Sequence, residues 1–122
     1  MKILVVDDQA PITLFSKLEL EDEGYNVVIA NNGDEALRLF SEESPDLVTL
    51  DIKMSYDNEG LDILQKMKAL NNAIPIILFS AFDFKDDFIT WAADAYITKT
   101  SDMTELKDTI QKLLTRTPSA NT

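Results

Sequence analysis

Short runs of apolar residues alternate along the chain with longer stretches in which apolar positions recur every three or four. The runs at 3–6, 26–29, 47–50, 74–79 and 95–98 are rich in Val and Ile. Each is too short for a helix and too continuous for a strand with one wet face, so they predict strands covered on both faces. Between them the period changes. Pro11 suits a first helical turn, and Leu14, Phe15 and Leu18 line one face of a helix that Gly24 ends. Ala36, Leu37 and Phe40 repeat the pattern between Gly33 and Pro45, and Leu61, Leu64 and Met67 do so in a third helix. Met103, Leu106, Ile110 and Leu113 mark the last helix, with Ser101 or Asp102 as its cap. Strands alternating with helices predict an α/β fold, a five-stranded doubly wound parallel sheet with helices on both faces. At this size the expected strand order is 2-1-3-4-5.

The polar residues that end the strands are more telling than any one of them. The first predicted strand runs into Asp7-Asp8, the third into Asp51, the fourth into Ser80 and the fifth into Lys99. Taken singly, each is an ordinary turn or cap residue. A parallel sheet, however, brings all its C-terminal ends to one edge, where ligands bind. Adjacent acids at the margin of a buried segment repel each other and lose hydration, so something must balance them. Carboxylates gathered with a lysine in a crevice suit a hard cation, and Mg²⁺ takes oxygen ligands while leaving room for a phosphate oxygen. No EF-hand loop is present to favour calcium.

Composition narrows the chemistry. The 122 residues make one domain, and 45% hydrophobic with 27% charged content is globular. Apolar runs fall far short of a membrane span and the N-terminus lacks a signal-peptide layout, which predicts a cytoplasmic protein without membrane association. With no cysteine there is no disulfide, thiolate zinc site or redox thiol. With no histidine the chain has no imidazole base and can carry no phosphohistidine. The net charge of −11 argues against direct contact with nucleic acid. Residues 117–122, "TPSANT", read as a flexible tail or the start of a linker.

The segments "ILVVDD", "LVTLDIKM", "GLDIL", "ILFSA" and "AYITK", in this order and spacing, resemble a response-regulator receiver domain of two-component signal transduction. The resemblance runs from Lys2 to about Arg116 and sets a receiver domain at 1–116 with a flavodoxin-like fold. It implies that Asp51 is the phosphoacceptor. It implies that Asp7, Asp8, Asp51 and the backbone carbonyl of Lys53 hold Mg²⁺ or Mn²⁺. Ser80 matches the hydroxyl that engages the phosphoryl group, Lys99 the lysine paired with it, and Tyr96 the aromatic switch position. The donor is then a sensor histidine kinase or a histidine phosphotransfer protein. Phosphorylation would alter the face made by the fourth helix, fifth strand and fifth helix, and so signal to a downstream protein, a fused output domain or a second copy in a homodimer. Such a domain is a phosphoacceptor and not an enzyme, catalysing only its own phosphorylation and dephosphorylation. The alternatives are a pseudo-receiver that never takes phosphate and a haloacid-dehalogenase-like phosphatase. The latter carries its nucleophile in a D-x-D pattern after the first strand, whereas Asp7-Asp8 are adjacent and followed by Gln9.

The sequence departs from that family in three places. Thr100 follows Lys99 where proline, joined through a cis bond, is usual. Ser55 replaces another usual proline, and about one extra residue precedes Gly60. The span from Ser80 to Lys99 is about three residues short, nearly a helical turn. Trp91 and Phe88 then fall at small core positions, which predicts that the fourth helix (about 84–91) is shortened or displaced. Phe82, Phe84, Phe88 and Trp91 would form an aromatic cluster there, open to a non-standard partner. Lys53 and Phe82 flank the phosphoryl position and are expected to tune its lifetime.

Overall fold

The computed structural model describes residues 1–52, 59–80, 93–99 and 103–115. Its elements run β1 (Lys2–Val6), α1 (Ala10–Asp22), β2 (Asn26–Ala30), α2 (Gly33–Glu43), β3 (Leu47–Leu50), α3 (Glu59–Leu70), β4 (Ile76–Ser80), β5 (Ala95–Thr98) and α4 (Thr104–Thr115). The strands form one parallel sheet in the order β2-β1-β3-β4-β5. Strand order, direction and the expected α/β class agree with the sequence. The predicted helix at 84–91 and the caps Ser101 and Asp102 lie outside the described residues, as does the 117–122 tail.

Alternation along the strands explains why their sequences are apolar throughout. Leu4 and Val6 join one core with Ala36 and Phe40 of α2 and Leu61, Leu64 and Met67 of α3. Ile3 and Val5 join a second core on the other face, with Leu20 of α1 and Leu106 and Ile110 of α4. Period-two geometry splits each strand between two dry layers. The fourth strand begins later than the apolar run predicts. Proline has no N–H to give the ladder, and Pro75 contributes only its carbonyl, which accepts from the Val48 N–H at 3.0 Å. At the same end of the sheet, Asp94 ties α3 to the start of β4, accepting from Lys68 Nζ and from the Ile76 N–H, each at 2.8 Å.

Helix ends follow their sequence signals. α1 carries Pro11 in its first turn. It closes in a Schellman motif: the Tyr25 N–H donates to the Leu20 carbonyl and the Gly24 N–H to that of Glu21. Gly24 takes the positive φ of 95° that this motif demands. α2 starts with Asn32 accepting from the Glu35 N–H at 2.8 Å, and ends at left-handed Ser44 just before Pro45.

One helix faces the other way from the simplest expectation. Leu14, Phe15 and Leu18 do share a face of α1, but at 56%, 44% and 58% exposure they point to solvent. The face against the sheet is Thr13, Ser16 and Leu20. At about 3.6 residues per turn these two triplets lie on opposite sides of the helix. Small hydroxyl residues let the helix lie close to the sheet, and the Thr13 hydroxyl donates to the Ala10 carbonyl at 2.9 Å, so its burial leaves no unmet donor.

Candidate phosphoacceptor site

The ladder continues one residue past three of the strands and thereby places the site. The Asp7 N–H donates to the Ala30 carbonyl at 3.1 Å, the Asp51 N–H to Val6 at 3.0 Å and the Lys99 N–H to Ser80 at 2.7 Å. Residues distant in sequence are thus held side by side at the C-terminal edge by backbone bonds alone. Carboxylate oxygens of Asp7, Asp8 and Asp51 all lie within 4.8 Å of one another. Asp7 and Asp51 are buried, and Asp8 is exposed.

Lys99 reaches into this group. Its Nζ donates to Asp7 Oδ2 in a close ion pair and stands 3.4 Å from Asp51 Oδ2. The ammonium also lies 5.8 Å from the centre of the Phe79 ring. Part of the repulsion anticipated among the acids is therefore balanced by the chain's own lysine. Asp8 has no ion pair or hydrogen bond to its carboxylate among the described residues. Among the described residues, one cation against three clustered carboxylates leaves the group with negative charge to spare, and two of the three are shielded from water. That donor set, all carboxylate oxygen and open on the Asp8 side, fits a hard divalent ion such as Mg²⁺.

Ser80 is fully buried at the end of β4, paired in register with Thr98. Tyr96 pairs with Leu78 and packs, half-buried, against the α2–α3 core. Lys53, Phe82 and Thr100 lie outside the described residues.

Two contributors were not singled out from sequence. Asn31, just past β2, donates from Nδ2 to the backbone carbonyl of Asp7 at 3.1 Å. Its type was visible, but polar residues after a strand are too common to mark one. Gly60 opens α3 hard against β3: its N–H donates to the Ile52 carbonyl at 2.7 Å. A Cβ at Gly60 would stand 1.9 Å from the Asp51 carbonyl oxygen. The absence of a side chain lets the helix pack on the backbone that carries Asp51.

A doubly wound parallel sheet with an acidic pocket and a lysine at its C-terminal edge is a flavodoxin-like arrangement, and comparison with known proteins gives the family. The response regulator receiver domain model matches residues 3–111. The chain belongs to the response regulator receiver domain family of two-component systems. It is 34% identical over 116 residues to sporulation initiation phosphotransferase F of Bacillus subtilis, covering 93% of each chain. It is 34% identical over 118 residues to the probable transcriptional regulatory protein TcrX of Mycobacterium tuberculosis, covering 94% of this chain and 50% of TcrX. The chain spans about half the length of that regulator and of the ycf27 regulators it also matches. Among solved structures, the response regulator TrrA of Thermotoga maritima in complex with Mg²⁺ and BeF is 40% identical, with a TM-score of 0.87 over 92% of this chain and 97% of that one. TrrA is also known in complex with the histidine kinase ThkA, matching with a TM-score of 0.87 and covering 93% of this chain and 98% of the other.

Proposed function

We propose that this receiver accepts a phosphoryl group on Asp51 from the phosphohistidine of a partner protein and relays the phosphorylated state to a downstream protein or output domain. The observation that carries this is the placement of Asp51 between Asp7, Asp8 and Lys99 at the sheet edge. An Asp51 carboxylate oxygen attacks phosphorus in line, the new O–P bond forms as the P–N bond breaks, and the electron pair leaves with the donor imidazole. The donor must come from another protein, because this chain has no histidine.

Lys99, already beside Asp51, turns its ammonium toward the charge that collects on the phosphoryl oxygens. Asp7, Asp8, Asp51 and the Lys53 carbonyl would hold Mg²⁺, which when bound neutralises charge on the acids and on the incoming phosphate. Ser80 offers its hydroxyl to the phosphorylated Asp51, and Tyr96, on the neighbouring strand, takes up the space that this movement frees. A local change in charge thus biases a two-state element. Lys53 and Phe82 tune how long the acyl phosphate survives. The protein acts in the cytoplasm, where its kinase partner presents phosphohistidine.

A donor protein needs a surface beside Asp51 on which to rest. The outward stripe of α1, Leu14, Phe15 and Leu18, adjoins a groove of about 470 Å³ that Phe15 shares with Lys99. Exposed apolar positions beside a groove that Lys99 also lines suit that contact.

Intact mass after incubation with acetyl phosphate tests the chemistry. A single Mg²⁺-dependent phosphoryl adduct, absent in Asp51→Ala, is expected. No adduct together with no beryllofluoride complex would instead favour a pseudo-receiver.

A further inference from the structure

Asp7 is held at three points. Its N–H continues the sheet ladder to Ala30, and its Oδ1 accepts from the Gln9 N–H at 3.0 Å in a local turn. The third hold, Asn31 Nδ2 on the Asp7 carbonyl, comes from across the sheet edge. Because a peptide unit is planar, fixing the Asp7 carbonyl fixes the whole unit that joins Asp7 to Asp8. Asp8 needs this more than its neighbours, since its carboxylate has no partner of its own among the described residues. Left to repulsion alone, it would swing away from Asp7 and Asp51.

We propose that Asn31 is a positioning residue for the metal-binding acids, a role that rests on the receiver reading above. It pins the Asp7–Asp8 peptide so that the Asp8 carboxylate stays directed toward the other two. Asn31 is itself anchored: its N–H donates to Glu35 Oε1 at 2.8 Å, and the Glu35 N–H donates back to the Asn32 side chain at 2.8 Å. The start of α2 is thereby tied to the acidic pair. An amide suits the task because it donates without carrying charge. A lysine here would compete with the divalent ion, and an aspartate would add a further acid while losing the donor.

Calorimetric titration of the full chain with Mg²⁺ tests the assignment. Asn31→Ala removes the side-chain donor yet keeps the backbone bond to Glu35, at a position already exposed. It is expected to raise the Mg²⁺ Kd about tenfold, the low end for partners that orient metal ligands. Asn32→Ala, which removes the α2 cap instead, is expected to lower the unfolding temperature and leave the Kd unchanged. An unchanged Kd in Asn31→Ala, beside a wild type that binds, overturns the positioning role alone. Equal weakening in both variants also overturns it, because the effect would then run through the cap. A wild type that binds no Mg²⁺ removes the metal site itself, and this role with it.

Discussion

Asp8 stands beside two buried acids and has no hydrogen bond or ion pair to its carboxylate among the described residues. Like charges about 4 Å apart in water cost about 1 kcal/mol, so Asp8→Asn is expected to stabilise the metal-free protein by about that much. Urea unfolding in EDTA should show a higher midpoint, and saturating Mg²⁺ should reverse the order of the two proteins, because the wild type gains the ion and the variant gains less. Gly60 carries the opposite kind of constraint. Its missing side chain lets α3 meet the Asp51 backbone, and Gly60→Ala must push the two apart. The expected loss is about 2–3 kcal/mol of unfolding free energy by denaturant titration, in the range of other overpacked sites. Asp7, Asp51, Ser80 and Lys99 could be found from sequence because each ends a strand. Asn31 and Gly60 act through backbone contacts, and no residue pattern reports where a backbone carbonyl will lie.

Strands were legible because burial on both faces leaves a continuous apolar run, which little else in a chain this size produces. α2, α3 and α4 were equally plain, each with a single apolar stripe against the sheet. α1 was half legible. Periodicity found a face, but the direction in which it points depends on what the sheet will accept, and there the fit favours Thr13 and Ser16. A hydrogen-bonded hydroxyl can be buried at little cost, which a hydrophobic pattern does not register. α1 is fixed to α4 by Lys107, which pairs with Glu19 at 2.9 Å and reaches Glu23 at 3.9 Å. The hydrogen bond to Glu19 holds the Lys107 ammonium above the ordinary lysine value. Its contribution is therefore complete below that ordinary value and is lost only as pH rises through the raised one. The outward stripe gives a separate prediction. Replacing Leu14 and Leu18 with Ser should change stability by only about 0.5 kcal/mol each. Phosphotransfer from a protein donor should slow, while phosphorylation by acetyl phosphate should keep its rate. Equal slowing with both donors would remove α1 from the docking surface.

The molecule as a whole turns a chain-wide scatter of polar residues into one site, since a parallel sheet sends every strand's end to the same edge. That convergence is why the strand ends that reveal the fold are also the positions of the candidate site. Among the described residues no helix is long and apolar enough to cross a membrane. The departures at Ser55, at Thr100 and between Ser80 and Lys99 fall largely on stretches outside the described residues, so a shortened or displaced helix at about 84–91 stands as a sequence expectation. Everything else depends on Asp51 being the residue that carries the phosphoryl group. Borohydride reduces an acyl phosphate to the alcohol, so treating the phosphorylated protein with it and mapping the peptides by mass locates the modified side chain. The structure predicts homoserine at position 51, formed only when both Mg²⁺ and the phosphodonor were present. Homoserine at another acid, or conversion of none in a protein that does take up phosphate, would contradict the assignment.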